Sequence, residues 1–203
     1  MIEARPGIDR ATRVRRAFLE LVAERGLQAS MGAVARRADV AAGTIYVHHA
    51  SKDELVLAVY RDVKRDLAAA AIAGLDSKAR PEHRFRRMWL NILRHLAADP
   101  VRARFILQVE ASPYAGMAHA ASAPDGEDPL VAASGAPDMA PLLADLPLEV
   151  LYDLGFGSAI RLAGRAEPID ISTTKPIISA CWRAITRPDD AGQVLQRPGT
   201  VAP

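Results

Sequence analysis

Residues 30–55, SMGAVARRADVAAGTIYVHHASKDEL, decide the fold. Met31, Val34, Ala35 and Ala38 recur at the spacing of one helical face, and Val40 follows in a turn. Residues 42–49 form a second compact segment whose inward residue is Ile45, and Ser51 caps the entry to a third helix. Helices of about two turns bury little by themselves. A helix-turn-helix resolves this by packing both against a supporting helix and leaving the outer face of the second free for a DNA groove. The stretch therefore predicts a DNA-binding regulator.

At these residues the chain resembles the TetR-type (tetracycline-repressor-like) transcriptional regulators. In that family a recognition helix of the form G-T-[LI]-Y precedes a Ser-Lys-[DE]-x-L entry to the next helix. The matching positions are Gly43, Thr44, Ile45, Tyr46, Ser51, Lys52, Asp53, Glu54 and Leu55, with Val34-Ala35 where the family usually has Ile-Ala. The resemblance implies an all-α protein, with an N-terminal three-helix DNA-binding head and a larger C-terminal domain that dimerises and binds a small effector. Three positions depart from the pattern: Asp39 in place of a turn Gly, Ala41 in place of a capping Ser or Thr, and His49 in place of a core Phe. Asp tolerates a left-handed turn. Ala41 forgoes a side-chain cap worth roughly 0.5–2 kcal/mol. His49 is the oddest of the three, because a buried imidazole needs a partner.

The remaining composition is compatible with this. A chain of 203 residues holds a small unit plus a larger one. The single cysteine, Cys181, excludes an internal disulfide framework and suits a reducing compartment. No apolar run resembles a secretory segment or reaches membrane-spanning length, so a cytoplasmic protein with no membrane partner is expected. The net charge of +2 is unevenly spread. Residues 1–65 hold 12 Lys+Arg against 8 Asp+Glu, and the rest hold 14 against 16. The positive excess thus lies where phosphate binding would want it.

Along the chain, a first helix runs from about Asp9 to Arg25, with Val14, Phe18, Leu21 and Val22 inward and Arg10, Arg13, Arg15 and Arg16 crowding its start. The expected division is a head over 1–50, a helical ligand-binding and dimerisation domain over 51–187 whose residues 51–74 form a connecting helix, and a disordered tail over 188–203. Further helices are expected from Pro81, over 101–111, 139–146, 148–165 and 176–186. Residues 112–137, rich in Ala, Gly, Pro and Ser, read as a mobile connection or a poorly ordered helix. No segment alternates as a strand.

The candidate DNA-binding residues are Ser30, Ala42, Gly43, Thr44, Tyr46, Val47, His48 and Lys52. Small residues let the helix start approach the DNA. Thr44 and Tyr46 have hydroxyls for phosphate, Val47 and His48 are placed for base edges, and Lys52 is a phosphate clamp, a role the resemblance also implies. His48-His49 point about 100° apart on a helix and lack further ligands, so no metal or cofactor is expected. Met88, Trp89, Phe105, Tyr114, Met117, Tyr152 and Phe156 fit either a packed core or an apolar pocket; the resemblance favours a pocket for a small apolar or amphipathic effector. The helix over 148–165 is apolar nearly all round and needs two partners. Leu151, Leu154, Gly155, Ser158 and Ala159, with Ile178, Trp182 and Ile185, fit a homodimer interface or a central buried helix. A homodimer would read a near-palindromic operator on double-stranded DNA. No nucleophile elbow, phosphate loop or metal spacing points to an enzyme. Arg84, Arg86 and Arg87 read as a solvated face. The rival reading is a helical interaction module or an enzyme carrying a similar head.

Overall fold

The computed structural model describes residues 10–122, 128–165, 167 and 170–188. These form α1 (Arg10–Arg25), α2 (Met31–Ala38), α3 (Ala42–His48), α4 (Lys52–Ile72), α5 (Pro81–Ala98), α6 (Pro100–Glu110), α7 (Ala115–Ser122), α8 (Pro129–Ser134), α9 (Leu148–Ala163) and α10 (Thr174–Ile185). Two 3₁₀ turns lie at Ala140–Leu142 and Ile171–Thr173. The described residues contain no strand, only an isolated antiparallel bridge between Leu143 and Thr186. No described helix is long and apolar enough to cross a membrane.

Local chemistry sets the ends of the first helices. Ser30 Oγ accepts from the Ala33 N–H at 3.2 Å and starts α2. Asp39 ends it at φ 52, ψ 56, the left-handed conformation that Asp can occupy. α3 begins at Ala41 without a side-chain cap. Ser51 Oγ accepts from Glu54 N–H at 3.1 Å, while the Glu54 carboxylate reaches back to the Ala50 N–H at 2.7 Å. This reciprocal pair is close to a capping box and fixes the start of α4.

The buried apolar side chains form one contiguous cluster from α1 to α10. α1 packs on α2 and α6, and α4 runs between α5 on one side and α7 and α8 on another. Phe18 of α1 and Phe105 of α6 meet edge-on with centroids 6.2 Å apart. Phe85 of α5 meets Phe156 at 5.2 Å and Trp182 at 5.3 Å, which ties α5 to α9 and α10.

Three expectations are revised. Within 112–137 the described residues form α7 and α8 instead of an open connection. Alanine favours helix, and the Asp128 carboxylate caps α8 by accepting from the Leu130 N–H at 2.8 Å. The helix expected at 139–146 is only the turn Ala140–Leu142. The chain after it pairs instead with the end of α10, through Ala144 N–H to Ile185 C=O at 2.8 Å and Arg187 N–H to Leu142 C=O at 2.9 Å. Arg84 is buried rather than solvated. Its guanidinium grips Asp138 with two hydrogen bonds of 2.7 and 2.6 Å and also donates to Ser77 and Ala79 carbonyls, holding this loop against α5. The tail expectation for 188–203 falls almost wholly outside the described residues.

Candidate DNA interface and ligand cleft

α3 divides its side chains sharply. Ile45 is fully buried in the head, whereas Tyr46 is 55 % exposed and Val47 79 % exposed. His48, Ala42 and Gly43 are exposed as well, and Thr44 is half-buried. A β-carbon at Gly43 would meet nothing within 4 Å, so the helix start presents a flat surface. Lys52 lies at the first turn of α4, half-buried and without an ion pair among the described residues.

The basic residues of α1 separate into two groups that their spacing does not reveal. Arg15 pairs with Asp62 at 2.6 Å, and Arg16 pairs with Glu20 and Asp99. On α2, Arg37 pairs with Glu24 at 2.8 Å. Arg10 and Arg36 are exposed and form no ion pair among the described residues. These two and Lys52 are among the uncommitted charges of the head, as is exposed Arg25; only the three-dimensional partners of Arg15 and Arg16 set them apart.

His49, at the C-cap of α3, is 4 % exposed, and neither ring nitrogen has a hydrogen-bond partner among the described residues. Desolvation, with the nearby Arg15 charge adding to it, holds its pKa below the ordinary 6.5. The imidazole is neutral in the folded head and occupies an apolar site unsatisfied.

Further along α4 lies a cleft of about 650 Å³. Its walls include Phe85, Leu130, Met139, Leu143, Phe156 and Ile185, so α5, α8, α9, α10 and the strap near 143 all contribute. Lys64 of α4 projects into it. Its ammonium donates to Tyr152 Oη at 2.7 Å and lies 3.9 Å from the centroid of the same ring. Burial pushes the Tyr152 hydroxyl up, so it stays a neutral phenol. Burial also opposes the charge on Lys64, but Tyr152 and Glu110 outweigh it and raise its pKa. The cleft therefore contains a cation set among apolar walls.

Of the residues expected to form a pocket, Tyr152 and Phe156 line this cleft. Met88, Trp89 and Phe105 do not, since all three are almost fully buried in the core, and the Trp89 indole donates to Ser158 Oγ at 3.2 Å. Tyr114 bonds to Asp53 on α4 at 2.6 Å, and Met117 is 49 % exposed. The wall that sequence reasoning assigned to Trp89 belongs to Phe85, one turn earlier. Lys64 was missed although its position shows it: a lysine four residues after Tyr60 and one after Val63, on the inward stripe of α4.

The small residues of α9 serve the protomer's own packing. A β-carbon at Gly155 would lie 3.4 Å from the Phe85 ring and 3.5 Å from Ile185, in ordinary van der Waals contact, so this position faces α5 and α10 of the same chain. Ala159, Ile178 and Ile185 are buried inside the chain, and Ser158 contacts Trp89 and Cys181. Leu151 and Trp182 are half-buried. Leu154 alone among the expected interface residues is strongly exposed, at 42 %. It shares one line along α9 with exposed Val150 and Arg161 and with Gly157, which is itself buried although a β-carbon there would meet nothing within 4 Å.

Comparison with known proteins agrees with this architecture. A family profile described as bacterial regulatory proteins, tetR family, matches residues 15–59, and one described as a tetracyclin repressor-like C-terminal domain matches residues 81–186. An uncharacterised HTH-type transcriptional regulator of Haemophilus influenzae is 31 % identical over 193 residues, spanning 88 % of this chain and 97 % of that protein. The crystal structure of a TetR-family regulator from the same organism is 29 % identical, with a TM-score of 0.71, covering 88 % of this chain and 97 % of that one. A TetR-family protein from Vibrio parahaemolyticus is 26 % identical, with a TM-score of 0.66, over 88 % of this chain and all of that one. With reader helix, supporting head and C-terminal bundle all accounted for, the chain belongs to the TetR family: it is a DNA-binding transcriptional regulator and not an enzyme.

Proposed function

We propose that the protein is a cytoplasmic, homodimeric repressor that leaves a near-palindromic operator when a small molecule enters the cleft beside α4. The observation that carries this is that one helix spans both features. α4 begins at the uncommitted Lys52 beside the exposed face of α3, and further along it places Lys64 inside the cleft. Residues 1–50 act as the head and 51–187 as the effector and dimerisation domain. Tyr46 and Lys52, with Ser30 at the start of α2, contact phosphates. Thr44, Val47 and His48 face base edges, while Ala42 and Gly43 allow close approach.

The dimer face is the side of α9 marked by exposed Val150 and Leu154, in line with Gly157, together with the exposed side of α10. An exposed apolar stripe of this kind marks an association surface. Two heads joined this way would reach successive major grooves about 34–36 Å apart, or a multiple of it. Selection of bound sequences from random duplex DNA tests the reading directly. The expected product is a palindrome with half-sites at that spacing; no enrichment would overturn operator recognition. Addition of cleft ligands to the resulting complex then tests release. A ligand must favour the unbound conformation by about 1.4 kcal/mol to weaken binding tenfold.

A further inference from the structure

We propose that the cleft selects amphiphiles with a single carboxylate head, held by Lys64 and Tyr152, with the apolar tail laid against Phe85, Leu130, Met139 and Phe156. The inference rests on the effector reading of this cleft and names the class of ligand.

The argument begins with hydrogen-bond inventory. An ammonium has three donors, and among the described residues Lys64 spends one, on Tyr152 Oη. In accepting that bond the phenol keeps its own proton, for which no acceptor is found among the described residues. Two donors on heavy atoms 2.7 Å apart thus stand side by side at one end of the cleft. That spacing suits the two oxygens of a carboxylate, one taking an N⁺–H and the other the O–H.

Charge points the same way. No carboxylate of the described residues lies within ion-pair distance of Lys64. Asp128 is near enough to influence Lys64, but it forms no ion pair with it, and its Oδ1 accepts from the Leu130 and Val131 N–H groups at the start of α8. Glu110 is partly buried, accepts from the Tyr60 hydroxyl and is held above the usual carboxylate range by desolvation. Glu149 and Asp153 also border the cleft, but both are exposed on α9, where solvent screens them. Lys64 therefore has no ion-pair partner among the described residues although Asp128, Glu149 and Asp153 share the lining, and burial makes a paired charge worth more than an exposed one. A volume of about 650 Å³ with mostly apolar walls suits a tail rather than a second polar group.

The test compares decanoate, decan-1-ol and decyltrimethylammonium, which share a tail and differ in the head. Binding to the full chain is measured without DNA, by displacement of a fluorescent apolar probe and by calorimetry. Decanoate should bind at least about tenfold tighter than decan-1-ol, the value of one charge-assisted hydrogen bond. Lys64→Met should erase that preference while leaving decan-1-ol binding unchanged. If Lys64→Met does not fold, Tyr152→Phe, which removes the second donor, should reduce the preference instead. Equal binding of alcohol and carboxylate by the wild type, tighter binding of the cation, or binding of none of the three would overturn the proposal. Operator release is scored separately. Decanoate selectivity without release keeps the ligand class and breaks the repressor mechanism.

Discussion

The head and the cleft place a polar group in apolar surroundings in opposite ways. In the head, His49 takes a core position with no partner for either nitrogen. In the cleft, Lys64 is met by a phenol that is both acceptor and ring face. An unpartnered neutral imidazole subtracts from stability and does little else. A partnered ammonium with donors to spare is a place for a ligand. Burial of a polar group marks a site only when directional capacity is left over in an accessible space.

The largest effect should come from breaking the link between the two halves of the operator complex. Gly157→Arg adds bulk where a β-carbon is unobstructed, so the protomer should fold normally by circular dichroism. The dimer should separate in sedimentation, and operator affinity should fall by roughly two to four orders of magnitude as the second head's contribution is lost. An unaltered dimer would remove this side of α9 from the interface.

Next in size is Trp89→Ala, which distinguishes core from cleft. Deletion of this fully buried indole should cost about 3–5 kcal/mol in urea denaturation. Head-group selectivity in the cleft should survive wherever the variant remains folded. A change in ligand selectivity with little loss of stability would return Trp89 to the pocket.

Within the head, Lys52→Ala should weaken binding evenly across operator variants and reduce the salt slope by about one. Val47→Ala should instead change base preference at the position it reads, by about 1 kcal/mol, the scale of a lost apolar contact with a thymine methyl. Interchanged phenotypes would reverse the assignment of clamp and reader.

The smallest effect concerns His49. The unfolded chain takes up a proton on this residue below about pH 6.5, whereas the folded head resists doing so. His49 therefore makes the fold lose stability as pH falls from 6.5 towards the lower folded pKa, and has no such effect above 6.5. His49→Phe should raise stability by about 1 kcal/mol at neutral pH and flatten the acid side of the profile. An unchanged profile would place the acid sensitivity elsewhere.

The head was legible in sequence because its signals are local. Caps at Ser30 and Ser51, the left-handed Asp39 and the inward Ile45 all act within a few residues. The cleft was not, because Lys64, Leu130, Met139 and Tyr152 come from separate segments, Leu130 from a stretch whose composition suggested a mobile connection or a poorly ordered helix, and Met139 from one expected to be a helix. The glycine and alanine cluster of α9 leaves two readings open in sequence for a related reason. Small residues announce a close helix crossing, but not whether the crossing partner is the same chain, as Phe85 and Ile185 prove to be at Gly155.

The anchoring of α1 has a kinematic consequence. The helix is fixed to α4 by Arg15–Asp62 and to α6 by the Phe18–Phe105 contact. Arg16–Asp99 adds a further tie, at the start of α6. α1 is thus carried by two helices at once and packs on α2 of the head. A displacement of either carrier has a direct mechanical route to the reading helix, with no loop in between to absorb it.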